Sequence, residues 1–439
     1  MDASLFICVA RFTRIIGGWK VCADFGTINR DPLLKGRGKL VSADVARARA
    51  GVTALFFTNG ALFANFAPRF PELKDAFELT AGGYGLIIAA FPLGAIIGGP
   101  FAAKFVERFT SAKVAAYGTF LIGIALTLSA ILVAVAQGGG AILVVPFALL
   151  FALGGATDAI VDVGQNAHGL RVQKRYGRSI INSFHASWSL GAMTGGLMAM
   201  VATALAVPIG YHIGFAGVLF SIVALIASKY TLPGHDGEDQ DEPSIHRLSA
   251  KNWSVPLVIA LLLLLAISGV LVEDIAQSWS TLYMRDYLGA SAALAPAAYV
   301  CMLAFHFLGR VMGDRFVDQL GAKRTILMGG TLIIVGMSAA LLFQNIFVTV
   351  IAFAAAGFGA ATTVPLAMNA ADDVPGLKPG VGLMVVSWLM RLSFLLLPPL
   401  LGQAVVATSL LAPIVILPIG GVLVIVSTVV LEERKPVQD

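Results

Sequence analysis

The sequence has few charged residues and few cysteines for its length. Asp, Glu, Lys and Arg make up 13% of its 439 residues, whereas soluble domains contain about 25% charged residues. Hydrophobic residues make up 58% of the chain, and the mean hydropathy is +0.86. Burying this much apolar surface in one water-soluble core is implausible. The composition therefore indicates a chain that is dissolved in lipid.

The three cysteines, Cys8, Cys22 and Cys301, lack the paired spacing of metal-binding or redox motifs. We interpret them as ordinary apolar residues. The sequence also contains no Walker loop, no His-Glu-x-x-His, no Cys-x-x-Cys and no serine-elbow motif. We therefore expect no catalytic residue, no metal and no cofactor. The net charge of +5 is better explained by membrane topology than by nucleic-acid binding.

Twelve hydrophobic stretches are long enough to cross a bilayer as helices, which takes about 18 or more apolar residues. A strand of a membrane barrel would instead alternate apolar and polar residues over about ten positions, and residues 255–270 do not alternate. The sequence therefore predicts an all-α integral membrane protein with twelve transmembrane helices. The stretches begin near Val52, Gly82, Val114, Ala141, Ile180, Pro208, Val255, Ala292, Thr325, Ile346, Val381 and Leu410.

Lysine and arginine are distributed unevenly between the loops. If both termini are cytoplasmic, 26 of the 30 basic residues lie on the cytoplasmic side. Arg69, Lys74 and Arg285 lie outside, and Arg391 lies within a stretch. By the positive-inside rule, this distribution predicts a multi-pass protein of the cytoplasmic (inner) membrane with both termini in the cytoplasm.

The twelve stretches divide into two halves. Residues 49–230 and 255–431 are predicted to form two six-helix bundles. The linker between them, residues 231–254, is acidic and contains Pro and Gly, which indicates a cytoplasmic connection. Residues 432–439 are predicted to be a cytoplasmic tail.

Residues 1–48 are predicted to be a poorly structured N-terminal extension. Its apolar segment, residues 4–10, is too short to span a membrane, and arginines follow it rather than precede it, unlike in a signal peptide. One hypothesis is that the native chain starts near Val41.

An internal repeat relates the two halves. Residues 104–109 (KFVERF) follow the second stretch, and residues 315–320 (RFVDQL) follow the eighth, at an offset of 211 residues. Gly98 and Gly309 match at the same offset. Two parallel six-helix repeats are the arrangement of one known transporter architecture.

The second-half copy of this segment resembles the signature of the major facilitator superfamily between its second and third helices, and the resemblance covers residues 51–431. Asp314 stands one position from the expected glycine, Gln319 replaces the usual basic residue, and Thr110 replaces the turn glycine of the first-half copy. The residues that carry the resemblance are Gly309, Gly313, Asp318, Gly321, Lys323 and Arg324.

Four further segments resemble a largely uncharacterised bacterial subgroup near the fucose and sugar permease branch of this superfamily. They are residues 57–60, 162–168, 184–191 and 273–286. The resemblance implies two pseudo-symmetric six-helix bundles and alternating access to a central substrate site.

The signature segment predicts a gate on the cytoplasmic side. Asp318 beside Lys323 and Arg324 can form ion pairs and contact helix ends in one conformation and release them in the other. The alternative is that these charges act only as a topology signal. The residues predicted for the gate are Glu107, Arg108, Arg310, Asp314, Asp318, Lys323 and Arg324.

Ionisable residues inside the stretches are functional candidates, because a charge at the bilayer centre costs roughly 2.5–3.5 kcal/mol. Asp158 and Asp162 are four residues apart and share one helix face. We expect Asp162 to contact His185 near the cytoplasmic face, either as a proton-exchanging pair or as a structural lock. The residues predicted to couple protons are Asp158, Glu273, Asp162 and His185.

Arg391 lies near the middle of the eleventh stretch. An arginine there stays charged and binds carboxylates or phosphates through two parallel hydrogen bonds. Its expected partner is an anionic substrate or an internal acid, Asp158 or Glu273, and a permanent internal salt bridge is the alternative. The residues predicted to contact substrate are Asn59, Gln277, Arg391, Trp188 and Asn369.

Two aromatic residues follow the acidic pair of the seventh stretch. Tyr283 is interpreted as an anchor at the outer membrane interface, and Trp279 as an anchor or as part of the cavity lining. His306 is expected to face the same side as Arg310 and to cap the inner end of the eighth stretch.

These features predict a secondary active transporter that moves a small polar solute, a sugar or an organic anion, by alternating access with proton symport. A proton-coupled drug or metabolite exporter is the alternative, although residues 191–196 contain glycines without the proline expected of such exporters. The absence of catalytic and selectivity-filter motifs argues against an enzyme and a channel. The expected partners are a small-molecule substrate, protons and the lipid bilayer, and the protein is expected to act as a monomer.

Overall fold

The computed structural model describes residues 43–136, 140–177, 180–234, 254–372, 374, 377 and 381–431, and within these ranges the chain is helical and contains no strand. The first half contains α1 (Ala43–Phe66), α2 (Phe70–Ala76), α3 (Ala81–Ile88), α4 (Ala90–Gly98), α5 (Ala102–Phe109), α6 (Ser111–Val135), α7 (Val144–Tyr176), α8 (Ile181–Ala204) and α9 (Ile209–Ser228).

The second half begins with α10 (Val255–Ile275), which continues through two π-helical segments, Ala276–Ser280 and Tyr283–Tyr287. The remaining helices are α11 (Ala297–Leu320), α12 (Ala322–Phe343), α13 (Ile346–Ala360), α14 (Thr363–Asp372), α15 (Val381–Ala407) and α16 (Ala412–Ser427).

Ten helical segments in the described ranges are long and apolar enough to cross a membrane. The other two predicted spans, the fifth and the eighth, also form helices, α8 and α11, each of 24 residues. A helix of this length is about 36 Å long, which exceeds a hydrocarbon core of about 30 Å. The prediction of an all-α membrane protein is confirmed, and each predicted span corresponds to a helical segment.

The helix ends differ from the predicted boundaries at the start of the chain. Because α1 begins at Ala43, residues 43–48, which were assigned to the unstructured extension, are helical. In this amphipathic segment Val45 and Ala48 are buried, whereas Asp44 and Arg47 are exposed. The rest of the extension, residues 235–253 of the linker and the tail at 432–439 lie outside the described residues.

The same helix pairs form in both halves. In the first half α1 packs against α8 and α9, and α6 packs against α7 and α9. In the second half α10 packs against α15 and α16, and α12 packs against α13 and α16. Between the halves, α3 packs against α15 and α8 packs against α11. The internal repeat seen in the sequence is therefore also a repeat of packing.

The turn after the repeated segment has the same backbone conformation in both halves. Thr110 has φ 77° and ψ 146°, and Gly321, its counterpart 211 residues later, has φ 83° and ψ 159°. Positive φ favours glycine, because a Cβ atom is crowded there. Thr110 therefore adopts a glycine-type turn at a conformational cost.

Glycines allow the two halves to approach closely between α3 and α15. A Cβ atom on Gly85 would lie 2.3 Å from the carbonyl oxygen of Pro398, and one on Gly402 would lie 2.6 Å from that of Ala81. Real Cβ atoms do not approach an oxygen so closely, so only glycine fits at these two positions. Small residues at helix interfaces are how membrane helices pack without a hydrophobic driving force.

Candidate functional site

Close packing of α1 against α8 places the first functional residues together. A Cβ atom on Gly60 would lie 2.2 Å from the carbonyl oxygen of Trp188, and one on Gly191 would lie 2.0 Å from that of Phe57. The two backbones can approach this closely only because both residues are glycine. The contact brings Asn59 of α1 beside Trp188 of α8.

Asn59 links three helices through its side-chain amide. Its Nδ2 donates to Oδ1 of Asp158 on α7 at 2.7 Å, and its Oδ1 accepts from Nε1 of Trp188 at 2.9 Å. Asn59 is buried, whereas Asp158 and Trp188 are half-buried. Both the nitrogen and the oxygen of the Asn59 amide are hydrogen-bonded. The Asp158 carboxylate is therefore held in position by residues of the first half.

Arg310 extends this network into the second half. Its Nη1 donates to Oγ of Ser189 at 2.8 Å, and its guanidinium carbon lies 5.8 Å from the ring centroid of Trp188, within the range of a cation–π contact. The charge of Arg310 also acts on Glu273 of α10 and on His306 one turn earlier. Arg310 therefore lies at the interface between the halves.

Arg391 forms the second polar contact between the halves. Its Nη2 lies 3.4 Å from Oδ2 of Asp162, and the side chains are 39% and 45% exposed. Asp162 also accepts a hydrogen bond from Nδ2 of Asn166 at 3.0 Å. Arg391 therefore does not pair with either expected partner, Asp158 or Glu273. It pairs with Asp162, which lies one helical turn after Asp158.

The depth of Asp162 explains this difference. The sequence placed Asp162 near the cytoplasmic end of its span, but α7 runs on to Tyr176, so Asp162 lies about 21 Å from the end of the helix. Arg391 lies about 15 Å from the start of α15 at Val381. Both residues therefore lie well inside their helices, away from the helix ends.

The predicted contact between Asp162 and His185 is wrong in this conformation. Among the described side chains, His185 makes an edge-on contact with the ring of Phe56, with centroids 5.3 Å apart, and it is exposed. The charge of Asp162 acts on His185, but its oxygens bind Arg391 and Asn166. The two groups are neighbours without a hydrogen bond.

The other residues predicted for substrate contact lie on the second half. Gln277 is half-buried in the first π-helical segment, and Asn369 is exposed on α14. Ser189 was not predicted, although it lies four residues after His185 and thus on the same face of α8. That spacing is the signal that could have found it.

Trp279 and Tyr283 are not membrane anchors. Both are fully buried. The ring of Trp279 makes an edge-on contact with Tyr84 of α3 at 5.1 Å, and Tyr283 stacks on Tyr287 at 5.2 Å. They are buried because the end of α10 packs into the protein, so the interpretation of Tyr283 as an anchor and the anchor alternative for Trp279 are both wrong.

Five of the predicted gate residues lie near the repeated turns. Glu107 and Arg108 end α5, and Arg108 lies 5.6 Å from the ring centroid of Phe109. Asp318 lies in the last turn of α11, and Lys323 and Arg324 lie in the first turn of α12. The side chain of Asp314 lies outside the described part of the protein.

The opposite ends of the two halves are joined. Arg285, after α10, forms an ion pair with Asp75, in the last turn of α2, at 2.6 Å, and the hydroxyl of Tyr84 donates to the carbonyl oxygen of Ser278. In contrast, Asp162 and Arg391 are partly exposed and His185 is exposed. The polar network is thus covered on the side of Arg285 and accessible from the other.

Two pseudo-symmetric helical halves that share a buried polar network define a multi-pass membrane transporter of small solutes. The chain belongs to the Major Facilitator Superfamily, whose sequence model matches residues 52–396. This confirms the superfamily that the signature segment suggested.

Known proteins of this kind resemble the chain over much of its length. It is 27% identical over 321 residues to the uncharacterized transporter y4wD of Sinorhizobium fredii, covering 73% of this chain and 81% of that protein. It is 30% identical over 179 residues to the oxalate:formate antiporter of Oxalobacter formigenes, covering 38% and 41%. The crystal structure of a D-xylose-proton symporter superposes with a TM-score of 0.63 at 16% identity, covering 90% and 99%.

Proposed function

We propose that the protein moves a small polar solute, a sugar or an organic anion, together with a proton across the membrane by alternating access. The observation that carries this proposal is that two of the polar contacts between the halves, Arg310 with Ser189 and Arg391 with Asp162, involve arginines of the second half and lie near the acids of the first. Both contacts lie on the route between the two sides and must break when the halves rock apart. A solute bound between the halves would compete for the same groups.

The substrate would bind beside the Arg391–Asp162 pair. Arg391 has one hydrogen bond at 3.4 Å and a partly exposed guanidinium, so most of its donors remain available to a ligand within the described surroundings. Arginine binds carboxylates through two parallel hydrogen bonds, which favours an organic anion over a neutral sugar. The similarity to an oxalate:formate antiporter supports this substrate class. Asn59, Trp188, Gln277 and Asn369 are the further contacts that we assign to substrate.

The proton would be carried by an acid of the same network. We assign this role first to Asp158, which Asn59 holds at 2.7 Å, and then to Glu273, with Asp162 and His185 on the exposed side. An uncompensated carboxylate is costly in lipid, so its protonation would favour the conformation in which it is buried. The likeness to a D-xylose-proton symporter is compatible with this coupling.

The proposal is tested by uptake into proteoliposomes with an imposed pH gradient, acidic outside. Oxalate, formate and xylose are the first substrates to assay. We expect uptake to rise with the gradient and Asp158→Asn to remove that dependence. Asp44→Asn is the matched control, because Asp44 is 86% exposed and pairs with Arg47 at 3.8 Å on the surface. Uptake that ignores the gradient in the wild type would exclude proton coupling.

The charge of the substrate is tested separately by thermal-shift measurements on the purified protein. Carboxylates that raise the melting temperature of the wild type but not of Arg391→Ala would support an anion site. Neutral sugars that stabilise both proteins equally would make Arg391 a structural residue.

The remaining assignments concern the membrane. From the distribution of Lys and Arg we propose that both termini are cytoplasmic and that the membrane is the inner membrane. We also propose that the protein works as a monomer. Epitope tags near Asp236 and at Asp439 should be accessible from the same side. Accessibility from opposite sides would contradict this topology.

A further inference from the structure

A groove opens between α8 and α9 on the surface of the first half. Its volume is about 480 Å³, which lies within the range of about 300–1,000 Å³ that small-molecule sites occupy. Although α8 and α9 are consecutive, in the described ranges each packs against α1 rather than closely against the other. The equivalent helices of the second half, α15 and α16, are in direct contact. The groove is therefore the gap that the first-half arrangement leaves.

The groove faces away from the interface between the halves. A Cβ atom on Gly196 of α8 would lie 3.4 Å from the side chains of Leu303 and Val300, so this face of α8 packs against α11 of the other half. Leu197 and Val201 line the groove, and the helical period places Val201 on nearly the opposite side of α8 from Gly196. The two lining residues are 39% and 53% exposed. The groove therefore opens to the lipid and not to the central polar network.

The lining offers an occupant few hydrogen-bonding groups. The hydroxyl of Thr194 donates to the carbonyl oxygen of Leu190 at 2.8 Å. His212 is 6% exposed, and its ring nitrogens lie 2.9 Å from Oδ1 of Asn65 and 3.4 Å from Nη1 of Arg69. A polar solute or a water molecule would lose its own hydrogen bonds on entering such a space. The groove therefore suits an apolar ligand.

The length of the groove matches one leaflet of a bilayer. From Thr194 to Leu205, both of which line it, the groove extends about 16 Å along α8. Leu205 is the residue at which α8 ends, so the groove runs from the membrane surface toward the middle of the bilayer. Half of a hydrocarbon core of about 30 Å is about 15 Å. A membrane helix from a second copy would cross both leaflets and would extend well beyond the groove.

The groove lies at the same end of the molecule as Asp75 and Arg285. Val207, in the turn between α8 and α9, lines the groove, and its carbonyl oxygen accepts a hydrogen bond from Arg69, just before α2. Tyr211, in the first turn of α9, is 79% exposed and lies where tyrosines mark the membrane–water interface. In the proposed topology this end is the outer surface.

We propose that the groove binds one acyl chain of an outer-leaflet phospholipid, with the methyl end of the chain beside Thr194 and its ester end beside Leu205 and Tyr211. An empty groove forfeits dispersion contacts along its lining, and in the hydrocarbon layer a phospholipid chain is the apolar ligand that is always at hand. The bound chain covers His212, which contacts the buried Arg69. This binding site goes beyond the proposed function and requires no transport; only the name of the leaflet rests on the proposed topology.

Photolabelling of the full-length protein in phosphatidylcholine vesicles tests the position and direction of the chain. The probe is a phosphatidylcholine with a diazirine either beside the ester of one acyl chain or at the methyl end of that chain. Labelled residues are mapped by mass spectrometry of peptides. We expect the ester-end probe to label the protein around Leu205 and the methyl-end probe to label it around Thr194.

Val335 is the matched reference for ordinary contact with lipid. It is 63% exposed on α12 and lies about 20 Å from the start of that helix, as Thr194 does from the start of α8. We expect the methyl-end probe to label Thr194 about tenfold more than Val335, equivalent to about 1.4 kcal/mol.

A filled groove tests whether the chain is held there. Val201→Trp places a large side chain in the groove, whereas Val335→Trp places the same side chain on the open surface of α12. Native mass spectrometry of the detergent-purified protein counts the phospholipids that remain bound. We expect one phospholipid on the wild type and on Val335→Trp, and about tenfold lower occupancy on Val201→Trp. Photolabelling uses the wild type, so it decides the matter even if Val201→Trp fails to fold.

Four results would overturn the proposal. They are equal methyl-end labelling at Thr194 and Val335, a reversed order of the ester-end and methyl-end labels, phospholipid retention by Val201→Trp equal to that of the wild type, and a wild-type dimer that Val201→Trp dissociates. The last result would make a second copy the occupant of the groove. Because neither measurement involves transport, uptake that ignores the pH gradient would contradict the proposed function and leave the acyl-chain site intact.

Discussion

The guanidinium of Arg285 spans both oxygens of Asp75, with Nη1 2.6 Å from Oδ2 and Nη2 3.0 Å from Oδ1. Arg285 belongs to the second half and Asp75 to the first, so this two-pronged pair joins the halves on the covered side of the polar network. Their side chains are 28% and 54% exposed. An ion pair this accessible to water contributes at most about 1 kcal/mol to folding stability, and its role is to hold one conformation.

Breaking this pair should open the covered side without unfolding the protein. We expect Arg285→Ala to speed the modification of a cysteine introduced at Ala276, which is fully buried between the halves, by a membrane-impermeant thiol reagent. Glu78→Gln is the control, because Glu78 is an exposed acid three residues after Asp75, in the turn that follows α2. Equal modification rates in Arg285→Ala and wild type would show that the pair does not hold the halves together.

The same pair should not respond to alkaline pH. Partial burial by itself lowers the pKa of Arg285, but the hydrogen bonds to Asp286 and Asp75 outweigh it, so the pKa lies above its ordinary value. A group whose pKa is raised on folding contributes stability below its unfolded pKa and loses it as the pH rises through its folded pKa. For Arg285 that range lies above any working pH. We expect the modification rate of the Ala276 cysteine to be unchanged between about pH 7 and about pH 9, with the rate corrected for reagent chemistry on an exposed cysteine.

Removing the amide of Asn59 should destabilise the protein. Asn59→Ala leaves Asp158 without its donor and Nε1 of Trp188 without its acceptor, and each unsatisfied buried group costs about 1–3 kcal/mol. Since Asp158 and Trp188 are half-buried, we expect a loss of about 2 kcal/mol in unfolding of the purified protein. Asn166→Ala is the comparison, because Asn166 bonds only within its own helix turn to Asp162, and a similar loss in both variants would contradict the bridging role.

The sequence was sufficient for the fold because its signals are local. Length and apolar content predict each membrane helix, and α8 and α11 also form at the expected positions. The repeat at an offset of 211 residues predicted that the two halves share one helix arrangement. The similar φ and ψ angles of Thr110 and Gly321 show that the repeat extends to the backbone conformation of the turn.

The contacts of the candidate site were less predictable because they depend on how helices rotate and slide against one another. The sequence identified Asp158, Asp162, His185, Glu273 and Arg391 as unusual groups inside spans. It could not show that Arg391 binds Asp162 rather than Asp158, since one helical turn decides between them. The choice between two carboxylates one turn apart depends on where α7 ends. The sequence did not show that α7 continues through its basic residues to Tyr176.

The glycine contacts between α1 and α8 yield a prediction about packing. A Cβ atom on Gly191 would lie 2.0 Å from the carbonyl oxygen of Phe57, which is backbone and cannot move aside independently. We expect Gly191→Ala to separate the helices, to lower stability by about 1–3 kcal/mol and to disrupt the Asn59–Trp188 hydrogen bond.

Gly99→Ala is the matched control for this change, because nothing lies within 4 Å of a Cβ atom at Gly99. Thermal unfolding and the yield of monodisperse protein in size-exclusion chromatography measure both variants. Equal behaviour of Gly191→Ala and Gly99→Ala would show that α1 and α8 tolerate a wider separation than this structure has.

A buried arginine at the end of α1 yields the last prediction. The side chain of Arg69 is 3% exposed, and it pairs with the Glu72 carboxylate through two nitrogens. Its Nη2 also donates to the carbonyl oxygen of Val207 at 2.8 Å, and its Nη1 lies 3.4 Å from Nδ1 of His212. The guanidinium therefore ties the end of α1 to the start of α9 inside the first half.

Glu72→Gln keeps the shape of this cluster but removes the only carboxylate that pairs with Arg69 in the described residues. Removing one partner of a buried ion pair costs about 3–5 kcal/mol, and because Glu72 is 35% exposed we expect a smaller loss of about 1–3 kcal/mol. Asp44→Asn, which neutralises a pair on the open surface, should change stability by less than about 0.5 kcal/mol. Thermal unfolding of both variants decides the matter, since equal losses would mean that water, not Glu72, compensates the charge of Arg69.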